Sequence, residues 1–221
     1  MRTKAILITG FEPYGGRGSN PAAEIARALD GREIAGMAVA GRTLPVSHAR
    51  LKGEIETLLR EVDPAAVICL GLAPGELAIR IERIGHAIAD YEIPDNDGTV
   101  VAETLDGNGP TAYPVTLPVK PIERAILEAG IPARLSTTAG TFLCNACLYE
   151  FLASIAAREK AVPCGFIHLP YMPSQVAEIL RRMRDDKSLE KHQRADLASM
   201  DLQVQQRAIE IAVETTVRDL K

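Results

Sequence analysis

Two cysteines lie three residues apart in the segment TTAGTFLCNACLYEFL, which covers residues 137–152. The segment changes from a loop-like to an apolar helical pattern near Cys144, so Cys144 and Cys147 belong to the first turns of one helix. Three chemistries fit this spacing: a thiol–disulfide pair, half of a zinc site, or one nucleophile beside a thiol that only packs. Both residues could also be small core hydrophobes, which is common for free cysteines.

A zinc site is disfavoured because zinc needs four ligands, and the sequence has neither a second CxxC nor an HxxxH motif. We therefore expect no metal, and the nucleophilic chemistry considered below needs no organic cofactor. A thioredoxin-type pair formed by Cys144 and Cys147 fits the spacing and the helix N-terminus. A thiol–disulfide oxidoreductase thus remains the alternative function.

A nucleophilic role for Cys144 has a physical basis in the start of the helix. The helix dipole and the unpaired N–H groups stabilise a thiolate there, which can lower the pKa of a cysteine from ~8.5 to roughly 3.5–7.5. The same N–H groups can stabilise the oxyanion that forms when a thiolate attacks a carbonyl. The sequence thus predicts an activated thiol with a lowered pKa.

A nucleophilic cysteine needs a base, which is usually a histidine. Of the four histidines, His168 ends the apolar run GFIHL and is followed by two prolines that fix the exit loop. His48 and His192 are expected in solvent, and His86 lies in an ambiguous segment. Ligands of α/β sheets bind at the carboxyl ends of strands, where both Cys144 and His168 are predicted to lie. We expect these two side chains to meet.

An acid should orient the imidazole of the histidine. Glu82, in the run AIRIERIG, is a charge inside an isoleucine-rich segment. Taken alone, its pattern is that of an exposed strand face beside Arg80 and Arg83.

Two aromatic residues, Phe11 and Tyr14, lie in the loop GFEPYGGRGSNP. This loop lacks both the GxGxxG order and a Gly-Lys-Ser/Thr ending, so it is not expected to bind a nucleotide. Local sequence alone favours a packing role for the two aromatics.

Short β-rich apolar runs alternate with helical patterns along the chain, and these elements must position the candidate residues. Strands are predicted at 5–9, 37–44, 66–70, 133–137 and 165–169. Helices are predicted from Asn20-Pro21 to near 31, at 47–61, 121–129 and 201–220, and from near 144 and 173 onward. Residues 77–118 are ambiguous, and their run TAYPVTLPV is typical of a proline-interrupted edge strand.

This alternation predicts an α/β fold: a three-layer α/β/α sandwich with a mainly parallel, partly mixed central sheet. No linker or internal repeat divides the chain, so we expect a single domain of residues 1–221. The charged stretch at 181–194 is predicted to be a solvated helix end and loop.

The composition excludes several classes of protein. The 221 residues are 47% hydrophobic, with a formal net charge of −4, a pI near 5.7 and no basic stripe interleaved with aromatics, so nucleic acid is not an expected partner. The apolar run at 5–8 is too short for a signal peptide, and no later run could span a bilayer. We expect a soluble cytoplasmic protein with reduced thiols and no membrane partner.

Five motifs make the chain resemble the pyrrolidone-carboxylate peptidases, the type I pyroglutamyl peptidases. They are LITGFEPYGG (7–16), GLAPG with IERIG (71–85), IPDNDG (93–98), LSTTAGTFLCN (135–145) and GFIHLPYMPSQ (165–175). The resemblance covers nearly the whole chain. It implies an α/β/α sandwich, commonly a homotetramer, that cleaves an N-terminal pyroglutamyl residue from peptides through a thioester intermediate.

The same resemblance implies roles for individual residues. Cys144 in FLCN would be the nucleophile, His168 in FIHLPY the acid/base and Glu82 in IERIG the orienting carboxylate. Cys147 matches no catalytic position. The residues predicted to bind the pyroglutamyl ring are Phe11, Tyr14, Phe142 and Leu143.

Three positions depart from the family pattern. Arg80 stands at a usual Ser or Thr, Ala87 at a usual Asn or Gly, and Glu92 at a usual Arg that supports the site electrostatically. The reversed sign at Glu92 leaves open a catalytically weak member with a shifted substrate. We hypothesise that Arg80 supplies the missing positive charge, either by pairing with Glu92 or by facing the site directly. If both side chains point to solvent instead, their ion pair is worth only about 0–1 kcal/mol.

Overall fold

The computed structural model describes residues 4–105, 108–158, 161–185 and 197–221. The strands are β1 (Ala5–Phe11), β2 (Glu33–Ile34), β3 (Met37–Leu44), β4 (Ala66–Leu72), β5 (Ile79–Glu82), β6 (Ile84–His86), β7 (Ala89–Asp90), β8 (Ala102–Glu103), β9 (Ala112–Pro114), β10 (Ala133–Ser136) and β11 (Cys164–Leu169). The helices are α1 (Pro21–Leu29), α2 (His48–Val62), α3 (Val119–Glu128), α4 (Leu143–Ala156), α5 (Pro173–Asp185) and α6 (Leu202–Asp219).

Seven of these strands form one central sheet in the order β10-β5-β11-β4-β1-β3-β2. The pairs β1–β3, β1–β4, β4–β11 and β5–β10 are parallel, whereas β5–β11 and β2–β3 are antiparallel. The prediction of a mainly parallel, partly mixed sheet is therefore confirmed. The reversal at β5–β11 has a consequence for the site, because it sets which residues lie beside His168.

The period-2 alternation of each strand divides the core into two layers. On β1, Ile6 and Ile8 belong to the cluster that contains α1, α3 and α6, whereas Leu7 belongs to the cluster that contains α2 and α4. Helices thus cover both faces of the sheet, as predicted for an α/β/α sandwich. The central strands are covered on both sides, and every residue of β4 is buried.

Two helix starts follow from local sequence. The side chain of Asn20 accepts a hydrogen bond from the Ala22 N–H at 3.1 Å, and Pro21 occupies the first position of α1. Ser47 caps α2 by accepting from the Arg50 N–H at 3.4 Å. Each cap satisfies an N–H group that the helix leaves unpaired, so the two predicted starts are confirmed.

The ambiguous middle of the chain adds β5 to the central sheet and otherwise forms small accessory sheets. The run TAYPVTLPV contributes only β9, which pairs with β6 outside the central sheet. The prolines at 114 and 118 lack an N–H donor, which limits the length over which this run can pair. The predicted loop at 181–194 lies mostly outside the described residues. Among the described residues, each helix is too short or too polar to cross a membrane.

Candidate active site

Cys144 and His168 come together around Gly71. In the parallel pair β4–β11, His168 is the register partner of Gly71. A Cβ atom built on Gly71 would lie 2.8 Å from Cys144 Sγ, so the thiol packs directly over this glycine. The structure therefore brings the thiol and the imidazole to the same end of the sheet, at the adjacent strands β4 and β11.

Cys144 reaches this position by a route that differs from the expected one. Strand β10 is parallel to β5 and so runs opposite to β11, which places the carboxyl ends of β10 and β11 at opposite edges. The expectation that these two carboxyl ends are neighbours is wrong. The loop at 137–142 instead returns across the sheet, and the first turn of α4 packs over Gly71.

A buried hydrogen bond to a carboxylate orients the imidazole. His168 Nδ1 lies 2.7 Å from Glu82 Oε1, and the two residues are 2% and 0% exposed. An ionised carboxylate can only accept a hydrogen bond, so Nδ1 carries the proton and Nε2 keeps a free lone pair. Interpreting Glu82 as an exposed strand-face residue is wrong, because β5 lies between β10 and β11 with both faces covered.

Arg80 also faces this pair. Its Nε donates to Glu82 Oε1 at 2.7 Å, its Nη1 donates to Glu76 Oε2 at 3.0 Å, and its Nη2 is 3.2 Å from His168 Nδ1. Of the two hypotheses for Arg80, the structure supports the one in which it faces the site. The hypothesis of a pair with Glu92 is wrong for this structure: the ion pairs of Arg80 are with Glu76 and Glu82.

The thiol is protonated at rest. Burial and, after it, the negative charge of Glu82 raise the pKa of Cys144 to about 12, with Arg80 partly offsetting these effects. The expected lowering of this pKa is wrong, because removal of the thiolate from water outweighs the stabilisation at the helix start. Burial also lowers the pKa of His168, against the hydrogen bond and charge of Glu82, which raise it. The resting pair is therefore a neutral thiol and a neutral imidazole.

An aromatic cavity of about 320 Å³ lies beside the start of α4, with Tyr14 and Phe142 in its wall. Their ring centroids are 5.9 Å apart, and burial raises the pKa of Tyr14, which keeps its hydroxyl a neutral donor. The wall of the cavity also contains Ile93 and the charged residues Arg17, Asp90 and Glu92. Two of the four predicted ring-binding residues thus line the cavity.

The other two predicted ring-binding residues lie behind it. Phe11 and Leu143 are 3% and 1% exposed and belong to the apolar cluster that underlies the cavity. Sequence reasoning missed Tyr91, whose ring packs edge-on against Phe142 at 4.7 Å. Its hydroxyl lies 2.8 Å from His48 Nδ1, so His48, expected in solvent, is in fact half-buried.

Among the described residues, the other histidines and cysteines make contacts outside the thiol–imidazole pair. His86 Nε2 approaches the Thr137 carbonyl oxygen at 3.2 Å, and His192 lies outside the described residues. Cys147 is fully buried in the same apolar cluster as Cys69 and Cys164, and all four cysteines are free. Cys147 therefore packs in the core while Cys144 is partly exposed.

Glu82→Gln is expected to reduce kcat/KM by about 10- to 100-fold, the range that a hydrogen bond to a charged group is worth. Glutamine keeps one oxygen for His168 Nδ1 and Arg80 Nε but removes the charge that stabilises an imidazolium. Glu82→Leu, which keeps neither, should lose considerably more. Steady-state kinetics of the two variants measure the difference, and equal losses would contradict the orienting role.

An α/β/α sandwich that holds a thiol near a buried imidazole–carboxylate pair has the arrangement of a cysteine hydrolase. The model of the pyroglutamyl peptidase family matches residues 4–219. The chain belongs to this family, which confirms the resemblance found in the motifs.

The similarity extends over whole chains. The pyrrolidone-carboxylate peptidase of Pyrococcus furiosus is 40% identical over 95% of this chain and 98% of its own length. That of Thermococcus litoralis is 40% identical over 97% of this chain and 93% of its own length. A crystal structure of pyrrolidone carboxyl peptidase from P. furiosus superposes with a TM-score of 0.91 at 38% identity, covering 98% of this chain and 100% of that one.

Proposed function

We propose that this protein hydrolyses the amide bond that follows an N-terminal pyroglutamyl residue in peptides. Cys144 is the nucleophile, His168 the general acid and base, and Glu82 the carboxylate that fixes the imidazole. The observation that carries the proposal is the 2.7 Å contact between His168 and Glu82, which leaves Nε2 unprotonated beside Gly71, the residue over which the Cys144 thiol packs. Membership of the pyroglutamyl peptidase family supports the choice of substrate.

The reaction begins with a proton transfer, because a thiol with a pKa of about 12 is almost wholly protonated at neutral pH. His168 Nε2 takes the Cys144 proton as sulfur attacks the carbonyl carbon, and Glu82 stabilises the imidazolium that results. The imidazolium then protonates the leaving amine as the C–N bond breaks, which gives a thioester. Nε2 next deprotonates a water molecule that attacks the thioester, releasing pyroglutamate and restoring the thiol.

The start of α4 supplies donors for the oxyanion. Phe142 is the N-cap residue, and its side chain makes no cap hydrogen bond. N–H groups of the first turn that no side chain caps are available to a ligand. They stabilise the negative oxygen that forms during both attacks.

The cavity walls suit a lactam ring. The ring has an apolar edge, one N–H and one C=O, which fits the aromatic surfaces of Tyr14 and Phe142. Phe11 and Leu143 belong to the apolar cluster that packs beneath these surfaces.

The direct test is release of a fluorophore from a pyroglutamyl amide by the purified protein, with and without alkylation of its thiols. We expect turnover that alkylation abolishes. Cys147→Ala separates this function from the thiol–disulfide oxidoreductase, which needs both thiols. The variant should keep most of the turnover, since Cys147 is buried and packs in the core. Loss of all activity from a folded Cys147→Ala protein would instead favour the oxidoreductase.

The setting of the protein is also a proposal. We propose that it works in the cytoplasm and assembles as a homotetramer. Its free cysteines fit a reducing compartment, and the assembly is carried over from the family resemblance alone.

A further inference from the structure

Arg80 links two carboxylates and the imidazole in one chain of contacts. It lies directly across from His168 in the antiparallel pair β5–β11. Its Nε binds Glu82 Oε1 at 2.7 Å, and its Nη1 binds Glu76 Oε2 at 3.0 Å. Arg134 holds Glu76 from the far side with a 2.7 Å contact to the same oxygen. The guanidinium is thus fixed between two carboxylates, with only 20% of its side chain exposed.

The contacts decide which ring nitrogen carries the proton. A guanidinium has only donors, so an Arg80 bond to His168 Nδ1 would require that nitrogen to be unprotonated. Nδ1 would then face a Glu82 oxygen at 2.7 Å, with lone pairs on both atoms, whereas Arg80 Nη2 is farther away at 3.2 Å. The shorter contact, between Nδ1 and Glu82, is therefore the hydrogen bond, and Nδ1 is its protonated donor. Arg80 therefore acts on the imidazole in two ways: it binds Glu82, and its own positive charge lies close to the ring.

That charge has a clear effect on the imidazole. Glu82 alone would favour an imidazolium, which has no lone pair to accept the thiol proton. Arg80 carries the opposite sign at nearly the same distance and offsets it. The other charged group that acts on His168 is Glu76, whose negative charge favours the imidazolium. The neutral Cys144 thiol packs over Gly71, the register partner of His168. Arg134 acts only through Glu76.

We propose that Arg80 is a positioning residue that neutralises Glu82, so that the carboxylate fixes the ring of His168 without charging it. The catalytic consequence rests on the proposed function. Without Arg80, the ring takes up a proton at higher pH, and the base required for the first step is lost over a wider pH range.

The test is the pH profile of kcat/KM for Arg80→Met, measured with a pyroglutamyl amide. We expect its acid limb to move up by about one pH unit, because Arg80 and an imidazolium are like charges, and a charge within contact distance shifts a pKa by about that much. At pH values below the limb, kcat/KM of Arg80→Met should then be about tenfold lower than that of the wild type. Arg80→Lys keeps the charge and should return the limb most of the way to its wild-type position. Arg83→Met, the same change at an exposed residue of the same segment, is the matched control.

Glu76→Gln provides a test with the opposite sign and retains Arg80. Removing this negative charge should move the acid limb down, since Glu76 favours the imidazolium. This test remains possible even if the Arg80→Met variant does not fold. The proposal is overturned if the acid limb of Glu76→Gln stays in place or moves up. It is also overturned if Arg80→Met and Arg83→Met have acid limbs at the same pH.

A readout without substrate separates this inference from the proposed function. Nitrogen-15 NMR titration of His168, assigned with His168→Gln, reports its pKa and the protonated nitrogen directly. We expect a higher pKa in Arg80→Met and a protonated Nδ1 in the wild type. If the protein cleaves no pyroglutamyl amide but shows these shifts, the proposed function fails and the positioning role stands. An unchanged His168 pKa in Arg80→Met overturns the positioning role whatever the substrate.

Discussion

Cys144→Ala should lose at least about 10⁴-fold in kcat/KM, the scale on which removal of a catalytic nucleophile acts. His168→Ala should lose nearly as much. Because the pKa of the Cys144 thiol is raised to about 12, almost all of it is protonated at pH 7 when no base assists it. The double variant should be no worse than Cys144→Ala alone, because the two residues act as one unit. Kinetics on a pyroglutamyl amide give all three values.

Controls for this experiment come from the chain itself. His86→Ala removes a histidine that contacts the Thr137 carbonyl and not the thiol–imidazole pair, so it should leave turnover nearly unchanged. The assignment of Cys144 fails if its alanine variant retains substantial turnover. Losses that add up across the two single variants would mean that the thiol and the imidazole act in separate steps.

Gly71→Ala is expected to give the second large loss, about 100-fold in kcat/KM. The added Cβ would lie 2.8 Å from Cys144 Sγ and 2.7 Å from Phe166 Cζ, closer than atoms in contact can approach. Phe166 is fully buried and cannot swing away, so the sulfur or the strand must move. A displacement of about 1 Å at a reacting group costs on the order of 100-fold in rate. Overpacking should also lower the free energy of unfolding by about 1–3 kcal/mol.

Gly53→Ala is the matched control for this substitution. Gly53 lies inside α2, and a Cβ there meets nothing within 4 Å. Alanine in place of glycine within a helix should raise the free energy of unfolding by about 0.5–1 kcal/mol and leave kinetics unchanged. Urea titration and steady-state kinetics of both variants provide the comparison. Wild-type kinetics in Gly71→Ala would show that the thiol does not need its position over this glycine.

Much of the fold could be predicted because its signals are local. The apolar runs of the central strands, the Asn20-Pro21 cap and the length of α2 all depend on residues close together in sequence. The thiol and the imidazole could be predicted as well, because each side chain stands at the junction of a periodic element and a loop. These features need no knowledge of which strands are neighbours.

The direction of β5 could not be predicted, since nothing in the run IRIE marks which way a strand will run beside its partners. That direction places Arg80 opposite His168 and buries Glu82 beside it. The pKa of Cys144 could not be predicted for a related reason. The helix start that lowers it is visible in the sequence, whereas the depth of burial that raises it depends on the assembled sheet.

The strand that carries His168 is the last strand of the sheet in chain order, yet it occupies a central position between β4 and β5. During synthesis, β1, β3 and β4 can pair with one another, and so can β5 and β10, but the two groups have no strand to join them until β11 emerges. Until then, both groups have strand edges with unpaired N–H and C=O groups. A nascent chain is most prone to incorrect strand pairing during this interval. The strand that joins the two groups and the proposed base are therefore synthesised together, so we expect a chain that ends before β11 to have neither the complete central sheet nor activity.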